Sequence, residues 1–272
     1  MSKQPLYLQP TTLDLAWNDP PENLRRIDAA VAGRLKKAKN IPSEAQLFLF
    51  PELTLTGFVT QKPMPISIDP PHAHVAALRE IARRRKTGIV AGIPEPNPLG
   101  AEKPFNTSLL IGPDGEILAK YRKMHLFTLG KASEANGYRA GAAGTVVDYR
   151  GWKIGFAICF DIRFSALFLE YAKDEVDLML VSSCWVGGPH KAQQYKTINS
   201  SHAILTQAYV AAVNRFGKDP FFTYEAAEYV FSPFGENIYR KKPLKLNPAL
   251  LEKSRGLVVR PGDRDSYSVA DS

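Results

Sequence analysis

Three side chains of complementary chemistry stand directly after apolar runs: Glu52 in LFPELTLTGF, Lys123 in KYRKMHLF and Cys159 in AICFDIRF. A thiol becomes a strong nucleophile when an adjacent base takes its proton. A carboxylate can be that base, and an ammonium can stabilise the oxyanion that forms on the attacked carbon. Singly, each residue has an ordinary explanation as a solvated or capping Glu, a surface Lys or a packing Cys. Their shared position sets them apart. In sheets covered by helices, loops at the strand ends converge to build ligand sites, so residues just past strand ends are placed to meet.

The elements that position them alternate. A short strand LYLQ (6–9) is followed, after the breaker Asp19-Pro20-Pro21, by apolar residues at helical spacing over 22–39 (Leu24, Ile27, Ala30, Val31, Leu35). QLFLF (46–50) and GIVAGI (88–93) read as strands buried on both faces, with an amphipathic helix over 74–86 between them. TSLLI (107–111) and EILAKYRK (116–123) flank a Gly-Pro-Asp-Gly turn and form a hairpin; TVVDY and WKIGFAI form a second across Arg150-Gly151. Then come a helix over 164–173, the strand DLMLVSS (177–183), a long helix over 190–207 and the strand YVAAVN (209–214). A weaker pair, EYVFS (228–232) and NIYRK (237–241), is expected across Pro233-Phe234-Gly235, and 243–272 has little periodicity and reads as a tail. The expectation is an α/β fold of one domain spanning 1–272, a layered sandwich with mixed sheets.

Composition narrows the function classes. With 44% apolar and 23% charged residues, the chain is an ordinary globular protein. No apolar stretch approaches the roughly 20 residues of a membrane helix, and MSKQPLYLQP lacks a signal-peptide core, so a cytoplasmic protein without a membrane partner is expected. Two cysteines are too few for a disulfide framework. The net charge of +8 is dispersed over RLKKAK, RRRK and RKKPLK, where cations suit helix ends, and no aromatics interleave with them, so nucleic acid is not expected as a partner. Five scattered histidines offer no metal-ligand spacing, so neither metal nor organic cofactor is expected.

Four segments, FPELTLTGF, NTSLLIGPDGEILAKYRKMHLF, GFAICFDIRF and QAYVAAVNRFG, together resemble the signature blocks of the nitrilase superfamily, the carbon-nitrogen hydrolases, in order and over nearly the whole chain. The resemblance implies a four-layer αββα sandwich that pairs through its helices into a homodimer or larger assembly. It implies Glu52 as general base, Lys123 as oxyanion stabiliser and Cys159 as nucleophile. Glu134, in KASEANGYRAG ahead of Gly141, matches the family's second glutamate, which holds the Lys or orients substrate. On this reading the backbone N–H of Phe160 is a further oxyanion donor, while Asp161 and Arg163 brace the turn after Cys159, Arg163 through an internal ion pair or, alternatively, by binding a substrate carboxylate.

The residues after the nucleophile, CFDIRF, are similar to the amidase branch that holds omega-amidases and differ from the Trp-Glu of nitrile hydrolases. The substrate expected is a small linear amide, with a 2-oxo dicarboxylic acid monoamide as the leading candidate; N-carbamoyl compounds and nitriles stay open, as does a silent nitrilase-fold scaffold. Phe58, Phe127, Cys184 and Trp185 are the candidate pocket walls. The chain departs from the family pattern at Ser165, at SSHAILTQAYV, at Glu228 and in SSCWVGGPHKAQQYK.

Overall fold

Continuous apolar runs give a strand no face to solvate, and in the computed structural model, which describes residues 2–100, 103–128, 130 and 133–257, each such run lies inside a sheet. β1 (Tyr7–Pro10), β2 (Gln46–Leu49), β3 (Gly88–Glu95), β4 (Phe105–Ile111) and β5 (Ile117–Arg122) form one sheet, with β1, β2 and β3 parallel and β4 and β5 continuing as an antiparallel hairpin. A second sheet runs in the order β12-β9-β8-β7-β6, from β6 (Val146–Tyr149), β7 (Trp152–Ile158), β8 (Leu178–Ser183), β9 (Tyr209–Asn214) and β12 (Ala227–Phe231). Its three central strands are parallel and both edges antiparallel.

Two helices, α1 (Pro20–Lys37) and α2 (Ala73–Arg85), cover the first sheet by packing Leu24, Ile27, Val31, Val75, Leu78 and Ile81 on Phe48, Phe50 and Ile89. On the second sheet, α3 (Ser165–Lys173) and α4 (Lys191–Thr206) set Leu167, Phe168, Tyr195 and Ala203 into a core shared with Leu47, Leu49 and Val90 of the first sheet. The result is the four-layer αββα sandwich. The first helix starts at Pro20 because proline is tolerated in a first turn and the Asp19 carboxylate accepts from Glu22 N–H.

Three elements differ from the sequence expectation. NIYRK does not pair as a strand beyond a single bridge from Asn237 to Phe231, because the Asn237 side-chain oxygen turns back to accept from Val230 and Tyr239 N–H and replaces the ladder. Beyond residue 243, β13 (Leu244–Lys245) adds to the free edge of β1, and α5 (Pro248–Leu257) follows, anchored by Arg255 on Asp177 at 3.0 Å. A small hairpin, β10 (Gly217–Lys218) and β11 (Thr223–Tyr224), stands apart from both sheets. Among the described residues no helix is long and apolar enough to cross a membrane.

Candidate active site

Glu52, Lys123, Cys159 and Cys184 follow the last residues of β2, β5, β7 and β8 within three positions, so the carboxyl ends of four strands from two sheets converge on one point. The sheets are tied there: Ser182 Oγ donates to Phe50 O at 2.8 Å and Cys184 N–H donates to Glu52 Oε2 at 2.8 Å. The turn that carries Glu52 lies flat on β3. A Cβ on Gly92 would stand 2.4 Å from Leu53 N, so only glycine admits this approach. Gly141 does the same behind Lys123, where a Cβ would lie 2.3 Å from Arg122 O. Cys159 opens a 3₁₀ turn (Cys159–Arg163) with φ of 46°, a conformation disfavoured for a residue with a side chain, of the kind that marks constrained functional positions.

The Lys123 ammonium is fully buried between two carboxylates, 2.7 Å from Glu52 Oε1 and 2.5 Å from Glu134 Oε2. Asn106 Nδ2 donates to both, at 2.7 Å to Glu52 and 2.9 Å to Glu134. Glu134 sits in its own 3₁₀ turn (Glu134–Asn136) and is no solvated loop acid. Its Oε2 also accepts from Phe127 N–H at 2.8 Å, while Glu134 N–H donates to Phe127 O at 2.7 Å, so the same glutamate fixes the loop that carries Phe127.

Burial works against the charge on Lys123, but the fields of Glu134 and Glu52 outweigh it and hold the ammonium well above its ordinary range. Glu134 is pushed up by burial, with the attraction of Lys123 and the repulsion of Glu52 opposing each other. Burial and the Glu52 charge push the Cys159 thiol well up, and Lys123 offsets this only in part. At neutral pH the sulfur therefore rests protonated, and a base has to act during attack rather than before it.

Phe58, Phe127, Cys159, Phe160, Cys184 and Trp185 line one cavity of about 300 Å³, together with Arg163, Val186 and Lys191. That volume falls at the low end of the roughly 300–1,000 Å³ of small-molecule sites. Its walls are aromatic, and among the described residues the two charged side chains that line it, Arg163 and Lys191, are positive and none is acidic. Arg163 does not make the expected ion pair. Among the described residues it has no carboxylate partner; the guanidinium stacks 4.8 Å from the Trp185 ring and donates to Gln194 Oε1 at 2.9 Å. Lys191 sits 5.8 Å from the same ring, and its carbonyl accepts from Trp185 Nε1.

Sequence reasoning missed Asn106 and Lys191. The first stands at the head of the NTSLLI block, where a polar residue opening a buried strand was the available signal. The second is the first residue of α4 and lies in the stretch SSCWVGGPHKAQQYK, noted only for departing from the pattern. Glu228, another departure, accepts from Arg34 and from Thr12 N–H and ties β12 to α1 and to the segment that follows β1, away from the cavity. Among the described residues no group of three or more His, Cys, Asp or Glu side chains is placed to hold a metal ion.

The carbon-nitrogen hydrolase family model matches residues 7–240. The chain belongs to that family. Among curated proteins it is 32% identical to the omega-amidase YafV of Yersinia enterocolitica over 205 residues, covering 75% of this chain and 72% of that one. It is 30% identical to the hydrolase Rv0480c of Mycobacterium tuberculosis, covering 72% and 68%. Among solved structures, XC1258 of Xanthomonas campestris, a CN-hydrolase superfamily protein with an arsenic adduct in its active site, superposes with a TM-score of 0.80 at 24% identity over 98% of this chain and 100% of that one. The amidase of Nesterenkonia sp. AN1 superposes with a TM-score of 0.76 at 24% identity, covering 92% and 94%. These likenesses place this carbon-nitrogen hydrolase on the omega-amidase-like branch of the nitrilase superfamily.

Proposed function

We propose that this hydrolase cleaves the terminal amide of a short carboxylate-bearing chain, a dicarboxylic acid monoamide, with Cys159 as nucleophile, Glu52 as general base and Lys123 as oxyanion donor. The observation that carries the reading is the free valence at Lys123. An ammonium has three N–H groups; two are taken by Glu52 and Glu134, and the third is uncommitted within the electrostatic reach of Cys159, which lines the cavity. Glu52 takes the Cys159 proton as sulfur attacks the amide carbon, and the tetrahedral oxygen is held by Lys123 and the N–H of Phe160. Protonated Glu52 returns that proton to the departing nitrogen, which leaves as ammonia with the C–N bond broken and a thioester formed. The same carboxylate then deprotonates a water that attacks the thioester carbonyl and returns the proton to sulfur, releasing the carboxylic acid.

Arg163 and Lys191 favour an anionic substrate. They are the only charged groups that line the cavity among the described residues, and neither forms an ion pair there. Ammonia release measured on dicarboxylic monoamides, N-carbamoyl amines, short aliphatic amides and nitriles tests the reading. Monoamides are expected to lead. Charge-assisted contacts contribute about 1.5–3 kcal/mol, so Arg163→Met should raise KM for a monoamide by about tenfold to a hundredfold and leave an uncharged aliphatic amide nearly unchanged. Equal turnover of charged and neutral amides, or an Arg163→Met enzyme with unchanged KM, would sink the anionic substrate.

The cell compartment that fits this chemistry is the cytoplasm. The working form is a homodimer, a reading supported by Ile204 and Leu205 of α4 and by Phe234, all more than a third exposed, with the Phe234–Gly235 turn against Ile204. Light scattering should report a dimer, and Leu205→Glu should shift it to monomer; a monomeric wild type would overturn this part.

A further inference from the structure

Lys123 and Cys159 follow strands of different sheets: Lys123 comes directly after β5, an edge strand of the first, and Cys159 directly after β7 in the second. No backbone ladder joins β5 to β7, so the registry between the two side chains depends on face-to-face packing, which tolerates small slides. One buried carboxylate spans the gap. Asp161 is fully buried and accepts four hydrogen bonds, two on each oxygen. Oδ1 takes His125 N–H and His125 Nδ1, both at 2.9 Å; Oδ2 takes Tyr121 hydroxyl at 2.8 Å and Ile158 N–H at 2.9 Å. Tyr121 and His125 stand two residues to either side of Lys123, and Ile158 directly precedes Cys159. No lysine or arginine shares this carboxylate among the described residues, so all of its acceptor capacity goes to these two segments.

Resting on the catalytic roles proposed above, we infer that Asp161 is a positioning residue that sets the Lys123 ammonium against the Cys159 sulfur and so acts on the formation of the tetrahedral oxyanion. The pull of an anionic acceptor on four donors is stronger and more directional than neutral bonding, and it clamps both flanks of Lys123 while holding the strained turn at Cys159. The Arg163 and Lys191 side chains that bind substrate in the reading above take no part in this network. Loss of the clamp should therefore appear in kcat and leave KM near its starting value.

The test compares wild type, Tyr121→Phe, Asp161→Asn and the double variant in kcat and KM on the best amide of the panel, with Cys159→Ala as reference. Tyr121→Phe removes one of the four bonds and should lower kcat by about fivefold to tenfold. Asp161→Asn turns one acceptor oxygen into a donor facing at least one N–H group and removes the negative charge, and should lower kcat by about a hundredfold, with KM within about threefold. The double variant should match Asp161→Asn alone, because the hydroxyl acts only through the carboxylate. A purely structural hydroxyl would instead give additive losses with no split between kcat and KM. Wild-type kcat in Tyr121→Phe, additive losses, or a change confined to KM overturns the inference. If Asp161→Asn does not fold, Tyr121→Phe decides alone. Full activity in Cys159→Ala would instead sink the catalytic reading itself and is a separate outcome.

Discussion

Replacing Cys159 by alanine is expected to suppress ammonia release by at least about 10⁴-fold, with stability changed by no more than about 1 kcal/mol. The loss is large because, in the mechanism proposed, the acyl intermediate forms on the Cys159 sulfur. Cys184 also lines it, but its sulfur donates to Glu52 O at 3.3 Å and its N–H is committed to Glu52 Oε2, so that thiol serves the base rather than the substrate. Stability should hold because the thiol behaves as a small apolar group and alanine tolerates the 46° φ no worse than cysteine. The measurement is ammonia release over days at high enzyme concentration, beside a urea melt. Residual turnover above about a hundredth of wild type would point to water attacking directly from Glu52 and remove the thioester from the mechanism.

The sequence made the scaffold readable for a physical reason. Strands buried on both faces, such as QLFLF and GIVAGI, leave continuous apolar runs, and the cover helices show apolar residues at helical spacing, so the order of β1 to β9 and α1 to α4 followed from pattern alone. Elements held by single polar contacts left no pattern. The last helix buries Leu251 but is anchored by Arg255 on Asp177, and β10 and β11 are two residues each. NIYRK carries the strand-favouring Ile238 and Tyr239 after a Pro-Phe-Gly turn, yet a local side-chain bond to Asn237 competed with the ladder, a choice that depends on neighbours in space.

At the site, strand-end position and residue type drew attention to Glu52, Lys123 and Cys159, and the fold brings their side chains together. Which partners each would take was not legible. Arg163 lies four residues after Cys159 and two after Asp161, a spacing equally suited to bracing or to facing a ligand; only the placement of Trp185 under the guanidinium separates the two. Asn106 and Asp161 are likewise short polar residues whose role comes from what three distant segments deliver to them.

Lys123→Met carries the second large effect, on stability and catalysis together. Methionine fills much of the space of the lysine stem, so packing is nearly retained and the change isolates the charge. Removing one partner of a buried ionic cluster costs about 3–5 kcal/mol, because the charges left behind have no solvent. Here Glu52 and Glu134 would share only the Asn106 amide and the N–H groups of Cys184 and Phe127. The protein can relieve this by taking up a proton, since burial already pushes the Glu134 carboxyl above its ordinary range. A carboxyl raised in the folded state favours folding below its unfolded pKa, and that contribution is lost as pH rises through the folded value. The deficit of the variant should therefore be largest at neutral and alkaline pH and shrink in acid, which urea melts at about pH 5 and about pH 8 would show. The variant also lacks the proposed oxyanion donor, so kcat should fall by about 10²-fold to 10³-fold. A variant as stable as wild type at about pH 8 would mean that the Lys123 ammonium does not offset the repulsion between the two buried carboxylates, and the ionic account of the cluster would fall.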